Sequence, residues 1–251
     1  RSTPLYSSAA SDVYKRQAKK ESSKIEELLE RPENLIEDIQ SGKWEIWYNQ
    51  YKNIITYVGG GILAVVFLIV GWKYYTTSQN EEGQAAMFQA VYYFESDSLN
   101  KALEGDGNNL GFVDIASDYN FTKAGNLANY YAGVSYLKLG KYEEAIDYLK
   151  SFGSSDILVQ ARAYSLIGDA FMEQDDYESA ASYYKKAADW KPTKEFSPEY
   201  LMKLGLANEL NKDFDAAVKA YQRIIDEYPN SQKLNEAKKY KGLNEALAAS
   251  N

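Results

Sequence analysis

The chain has 251 residues, of which 28 are Lys or Arg and 36 are Asp or Glu, so its formal net charge is −8. It contains no histidine and no cysteine, which excludes disulfides, Ser-His-Asp triads, Cys-His nucleophile pairs and most zinc, haem and iron–sulfur sites. The acidic balance argues against nucleic-acid binding, because phosphate neutralisation needs clustered Lys and Arg. The length and apolar content suffice for a folded core in one or two domains.

The first 17 residues are set apart from the fold. Residues 12–17 read Asp-Val-Tyr-Lys-Arg-Gln, which resembles the translation of a transposase-adapter end from sequencing libraries. We interpret residues 1–17 as an assembly artefact, with a disordered tail as the alternative. In either case they take no part in the fold prediction.

Residues 18–53 form an arm in which apolar side chains recur near helical spacing. These side chains are Ile25, Leu28, Leu29, Leu35, Ile36 and Ile39. Pro32 interrupts the pattern and suits the first turn of a second helix, so we predict two short amphipathic helices. They would lie on the membrane or contact a partner, and a solvated arm is the alternative.

A transmembrane helix is predicted at residues 54–75. Twenty residues without a charge separate Lys52 from Lys73, and 20 helical residues rise about 30 Å, the thickness of the hydrocarbon core. Aromatic residues flank this stretch on both sides, as is typical of the two membrane interfaces. They are Trp44, Trp47, Tyr48, Tyr51 and Tyr57 before its centre and Trp72, Tyr74 and Tyr75 after it. The alternatives are a buried core helix and a cleaved signal peptide, although the segment starts late and lacks a small-residue cleavage site.

The basic residues beside the span predict its orientation. Lys43 and Lys52 precede it closely, whereas Lys73 is the only basic residue that follows it before Lys101. Short loops rich in Lys and Arg stay in the cytoplasm. We therefore expect residues 18–53 on the cytoplasmic side and the C-terminal part outside the cytosol.

The remaining chain, residues 76–251, contains an internal repeat. Three glycines lie 35 and 37 residues apart, and each is followed by an aromatic residue after nine positions, an alanine after 12 and a large apolar or aromatic residue after 16. The three sets are Gly133, Tyr142, Ala145 and Leu149; Gly168, Tyr177, Ala180 and Tyr184; and Gly205, Phe214, Ala217 and Tyr221. This pattern resembles the tetratricopeptide repeat, which implies a solenoid of paired antiparallel helices.

The predicted fold class is all-α: an N-terminal transmembrane helix, a tetratricopeptide α-solenoid and a C-terminal capping helix. The units are a degenerate one at 85–103, an insert at 104–123, repeats at 126–157, 161–192 and 198–229, and a cap at 231–247. The degenerate unit is counted from Ala90, after which Tyr93, Leu99 and Ala102 keep the repeat offsets. We expect the small glycine and alanine positions to face each other where the two helices of a unit cross.

No catalytic residue, cofactor or metal site is predicted, and we expect a protein that is not an enzyme. Residues 106–111 begin like a calcium loop, but Leu110 and Ser117 stand at positions that need ligating side chains, so a turn-rich connector is favoured. Acidic pairs fall in repeat turns or at helix starts, where they suit the helix dipole. A carboxylate-based enzyme is the remaining alternative.

The resemblance implies a concave protein-binding groove lined by the first helix of each repeat. Counted from the glycines, the candidate groove residues are Tyr130, Val134, Leu137, Ser165, Asp169, Met172, Met202, Leu206 and Glu209. This mixed apolar and acidic lining suits extended or partly unfolded protein segments. It lacks the Lys and Asn residues with which some members of the family bind a C-terminal carboxylate. The alternative is that some of these residues pack inside against a neighbouring helix.

The layout of arm, single span and acidic repeat domain resembles that of the ancillary subunit of the bacterial Sec translocon. The resemblance implies a single-pass protein of the bacterial inner membrane with a cytoplasmic N-terminus and a periplasmic repeat domain. It also implies a chaperone-like adaptor that binds the translocon and periplasmic folding factors. The alternative is a structural scaffold for another cell-envelope machine, in division or outer-membrane assembly.

Overall fold

The computed structural model describes residues 43–250, so the predicted tail and residues 18–42 of the predicted arm lie outside the described residues. Within 43–250 the protein is all-α and has no strand, as predicted. Its helices are α1 Lys43–Glu95, α2 Leu99–Glu104, α3 Phe112–Asp118, α4 Lys123–Lys138, α5 Tyr142–Ser151, α6 Val159–Glu173, α7 Tyr177–Asp189, α8 Ser197–Leu210, α9 Phe214–Glu227 and α10 Leu234–Ser250.

The chain divides into two compact units, Arg1–Gly71 and Trp72–Asn251. In the first unit every described residue belongs to α1. This helix is long and apolar enough to cross a membrane, and its most apolar window is not buried inside the protein. Its side chains are exposed on all sides from residue 60 to residue 70, which is typical of a helix that faces lipid and not of one that packs in a soluble core.

Helix α1 includes the last part of the predicted arm, residues 43–53. The side chains from which the two short helices are predicted lie outside the described residues. No proline lies between Lys43 and Glu95, so nothing in this stretch removes a backbone donor or clashes with the preceding turn.

The second unit consists of packed helix pairs. Helix α4 packs on α5, α6 on α7, and α8 on α9, while α7 also packs on α8 and α9 on α10. The second helices begin at Tyr142, Tyr177 and Phe214, the aromatic residues nine positions after the repeat glycines. The result is a tetratricopeptide-like solenoid, as predicted.

The same tight turn joins the two helices of each unit. The residue seven positions after the repeat glycine has a left-handed backbone, with φ of 73° at Gly140, 58° at Asp175 and 61° at Lys212. At the same offset from Ala90, Asp97 has φ of 57°. In all four turns the next residue donates its N–H to the carbonyl five positions earlier, over 2.8–3.0 Å. The degenerate unit therefore has the same turn conformation as the three repeats.

The insert contributes a core helix that the sequence did not predict. Helix α3 lies within it, and Phe112 and Ile115 are fully buried. The Phe112 ring stacks on Tyr131 of α4 with centroids 5.2 Å apart, and Phe94 of α1 meets Tyr131 edge-on at 5.3 Å. The insert therefore fills the space between the degenerate unit and the first repeat.

Asp106 closes the loop that precedes α3. Its carboxylate accepts hydrogen bonds from the Tyr93 hydroxyl at 2.7 Å and from the N–H groups of Asn108 and Asn109 at 2.9 and 2.7 Å. These donors, led by the Tyr93 hydroxyl, hold the pKa of Asp106 well below its usual range. The segment is a hydrogen-bonded turn in which Tyr93 of α1 and the loop's own N–H groups surround the carboxylate.

Candidate protein-binding groove

The nine predicted groove residues lie on the first helices of the three repeats, α4, α6 and α8. Leu206 is exposed and Ser165 and Met202 are buried, whereas the other six are half-buried. The half-buried residues are Tyr130, Val134, Leu137, Asp169, Met172 and Glu209. Ser165 and Met202 offer little accessible surface to a partner, and the binding role of all nine stays a prediction.

A lysine that the sequence prediction omitted neutralises the middle of this surface. Lys203 Nζ lies 2.7 and 2.9 Å from the two carboxylate oxygens of Asp169 and 3.3 Å from Ser165 Oγ. The Tyr184 hydroxyl donates to Asp169 Oδ1 at 2.7 Å, and burial, with the Asp169 charge next, raises the pKa of Tyr184 far above its ordinary value. The acidic charge expected in the groove is therefore bound internally across α6, α7 and α8.

The C-terminal helix occupies the other acidic groove position. Asn244 of α10 is fully buried and donates its Nδ2 to Glu209 Oε2 at 2.8 Å and to the Tyr240 carbonyl at 2.9 Å. Its Oδ1 has no hydrogen-bond partner within the described structure. Helix α10 thus reaches Glu209 of α8 through a polar residue.

An accessible apolar groove lies at the N-terminal end of the repeat domain. It has a volume of about 400 Å³ between the last turns of α1 and helix α4. Phe88 is 78% exposed, Tyr92 is 59% exposed and Leu127 is 40% exposed. We call it the aromatic groove, and its apolar and aromatic lining consists of Met87, Phe88, Val91, Tyr92, Leu127 and Tyr131.

The chemistry of the aromatic groove follows from its lining. Gln84 and Glu95 complete the lining. Among the described residues that line the groove, Glu95 is the only charged one. Apolar and aromatic walls bind by removing water from apolar surface. The groove therefore suits an apolar segment that carries no negative charge near Glu95.

Sequence reasoning missed the aromatic groove because it counted groove positions only in the three complete repeats. The same offsets from Ala90 reach Met87 and Val91, which line the groove, and Phe94, which packs on the core instead. Phe88, Tyr131 and Lys203 lie two positions before Ala90, Gly133 and Gly205, the residues from which the repeat offsets are counted. Extending the repeat frame to that offset would have found all three.

Comparison with protein families gives two overlapping matches to the tetratricopeptide repeat, over residues 130–195 and 166–232. Residues 130–232 contain tetratricopeptide repeats. A search of curated proteins gives no match. The matched stretch includes α6, α7, α8 and α9 with their crossings, and arrays of this kind present extended surfaces that bind proteins. The tetratricopeptide repeats of residues 130–232 thus indicate a protein–protein interaction module.

Proposed function

We propose that this protein is a membrane-anchored adaptor that binds extended apolar segments of other proteins through its repeat domain. The observation that carries the proposal is the aromatic groove, where Phe88, Tyr92 and Leu127 are exposed side by side on the first helices of neighbouring units. Contiguous apolar surface of this kind is typical of interaction sites, and aromatic side chains supply much of the energy of protein binding. The proposal assigns binding and no catalysis to the chain.

The membrane anchor in this proposal is the apolar part of α1. Lys43 and Lys52 before it, against Lys73 after it, support a cytoplasmic N-terminus and a repeat domain in the bacterial periplasm. The layout supports a place beside the Sec translocon, where segments emerge extended and with their apolar side chains uncovered. The alternative assigns the same groove to a scaffold in another envelope machine, for division or outer-membrane assembly.

Photo-crosslinking in living bacteria tests the adaptor proposal. A photoreactive residue replaces Tyr92 in the full-length chain, and a matched probe replaces Leu243, which is exposed on α10 outside the aromatic groove. We expect position 92 to capture translocon subunits or newly exported proteins well above the level at position 243. Subunits of one other envelope assembly alone would favour the scaffold, and equal signals at both positions would refute groove binding.

A second variant separates binding from folding. Phe88→Ser in the chain with the probe at position 92 should lower the specific crosslinks several-fold, because it removes the most exposed ring of the groove. Its thermal unfolding midpoint should not change, since Phe88 is not part of the buried core. Undiminished crosslinking would show that the ring takes no part in binding.

The predicted orientation is tested by cysteine labelling. The native chain has no cysteine, so Asn230→Cys, at an exposed position of the repeat domain, provides a single reactive thiol. A membrane-impermeant maleimide should label it in cells whose outer membrane alone has been permeabilised. Labelling only after disruption of the inner membrane would place the domain in the cytoplasm.

A further inference from the structure

A cluster of exposed aromatic rings lies where the repeat domain begins. Trp72, Tyr74 and Tyr75 belong to α1 and are all exposed, and Phe121, from the turn between α3 and α4, is 74% exposed. The Trp72 ring meets Phe121 edge-on with centroids 5.8 Å apart, and it lies 6.1 Å from Tyr75. Residues that are far apart in sequence thus form one aromatic surface.

The repeat domain holds Phe121 in a fixed position. The next residue, Thr122, caps α4 by accepting a hydrogen bond from the Gly125 N–H at 3.1 Å. Its N–H and hydroxyl both donate to the Tyr119 carbonyl, at 2.9 and 2.7 Å. Tyr119 packs against the buried cluster that contains Phe112. The turn therefore presents Phe121 outward while the residues on both sides anchor it.

The sequence fixes the depth at which Trp72 would lie. It ends the 20-residue uncharged stretch and is followed at once by Lys73, Tyr74 and Tyr75. Trp and Tyr favour the boundary between hydrocarbon and headgroups, and a lysine beside them extends its ammonium toward the phosphates. The Phe121 ring, whose centroid is 5.8 Å from that of Trp72, is close enough to reach the same layer.

We infer that the turn around Phe121 inserts into the lipid headgroup layer beside Trp72, so that the repeat domain itself contacts the membrane surface. The inference rests on the proposed membrane anchor. Lys73 is exposed beside Trp72 and Lys123 is exposed two residues after Phe121, so two cations adjoin the aromatic rings in sequence. Asp118 is exposed as well and lines a small cavity with Tyr75 and Phe121. The partner that we assign to this surface is lipid, with the apolar rings at the boundary and the two lysines toward the phosphates.

Spin labels on single cysteines in the full-length chain test the inference. The chain is reconstituted in vesicles of zwitterionic and anionic phospholipids, with labels at Val66, Asn120 or Ile157, and collision with oxygen is compared with collision with a water-soluble nickel complex. We expect position 66 to be deep in hydrocarbon, position 120 to be protected from nickel at interfacial depth and position 157 to be fully aqueous. Asn120 is chosen because labelling it keeps Phe121 intact.

The outcomes distinguish the inference from the anchor on which it rests. A position 120 as aqueous as position 157, with position 66 still deep, would overturn the lipid contact and leave the span in place. An aqueous position 66 would overturn both. In the chain labelled at position 120, Phe121→Ser should raise the nickel collision rate several-fold. Phe88→Ser, which removes an equally exposed ring elsewhere, should leave that rate unchanged, and an identical response to both substitutions would also overturn the inference.

Discussion

Gly168 and Tyr184 lie in direct contact where the two helices of the second repeat cross. A Cβ atom on Gly168 would lie 2.7 Å from two ring carbons of Tyr184. Gly133 has the same relation to Leu149, at 2.5 Å, and Gly205 to Tyr221. The nearest side chain to each glycine is therefore the large residue 16 positions later, and at Gly133 the predicted neighbour Ala145 is also close, with its carbonyl oxygen 3.1 Å from that Cβ position.

The glycine–tyrosine contact predicts that Gly168→Ala destabilises the repeat domain. Alanine favours the helix by about 1 kcal/mol, but overpacking a fixed core costs about 1–3 kcal/mol. The Tyr184 ring has little freedom to move, because it is buried and its hydroxyl is bound to Asp169. We expect a lower thermal midpoint for the full-length chain in detergent, measured by circular dichroism.

Gly242→Ala is the matched control. Gly242 lies within α10, and a Cβ there would meet nothing within 4 Å. Alanine should therefore stabilise the chain by about 0.5–1 kcal/mol through helix propensity alone. Equal shifts of the midpoint in the two variants would contradict the tight crossing at Gly168.

The left-handed turns predict a stabilising substitution at Lys212. Its φ of 61° is equivalent to the 73° of Gly140 in the first repeat, and a left-handed backbone costs a side-chain-bearing residue about 1–2 kcal/mol. Lys212→Gly should stabilise the chain by about 0.5–1 kcal/mol, after the larger entropy of glycine in the unfolded chain is subtracted. Gly140→Ala should have the opposite sign in the same denaturation assay, and a gain there would refute the assignment of strain.

The buried Asn244 predicts a pH-dependent defect. Asn244→Asp replaces the amide that donates to Glu209 with a second carboxyl group in a fully buried position. Burial and the neighbouring carboxylate raise the pKa of the new carboxyl group in the folded state. The variant should lose about 2–4 kcal/mol at neutral pH, since a buried charge is left unpaired.

The sign of the pH dependence follows from linkage. Below the unfolded-state pKa of about 4, the new carboxyl group is protonated in both states and the charge penalty disappears. The difference in stability from the native chain should therefore widen as the pH rises from about 4 to the folded-state pKa and stay constant above it. Asn235→Asp, at an exposed position of the same helix, should show no such dependence. A constant difference between pH 4 and pH 8 in the Asn244 variant would argue against the buried contact.

We expect the Lys203–Asp169 pair to contribute more to the free energy of unfolding than an exposed ion pair does. Both side chains are about two-thirds buried and Asp169 also accepts from Tyr184, so Lys203→Met leaves a partly buried carboxylate without its cation. We expect a loss of about 1–3 kcal/mol in urea denaturation. Adding Asp169→Asn should recover part of that loss, because the two residues act as a coupled pair.

Lys185→Met provides the comparison. Lys185 is 65% exposed and pairs with Asp189 one helical turn later, and Asp189 keeps Arg223 at 3.0 Å after the substitution. Exposed pairs contribute about 0.2–1 kcal/mol. If Lys185→Met lowered the free energy of unfolding as much as Lys203→Met, partial burial would not strengthen the Lys203–Asp169 pair.

Local patterns predicted the larger features of this protein. The absence of charge over 20 residues and the recurrence of glycine, aromatic and alanine positions depend on residues close together in sequence. Those patterns predicted the apolar part of α1 and the helix pairs from α4 to α9. Helix α3 was missed because it is short and has no capping side chain. Its stability comes from the contact of Phe112 with Phe94 and Tyr131, and these residues are far apart in the sequence.

By itself, then, the sequence determined the helix pairs from α4 to α9, how they repeat and which segment has the composition of a membrane span, because each of these depends on local spacing and charge. Only the tertiary structure decided which side chains remain accessible. Phe94 and Phe88 have the same character in sequence, yet one packs against α3 and α4 while the other faces solvent. In the sequence Asp169 and Glu209 look like unpaired acidic residues of the groove. In the structure Lys203 and Asn244, from other helices, bind them. The exposure and pairing of a side chain depend on which helix surfaces meet when the chain packs. Local sequence patterns do not contain that information.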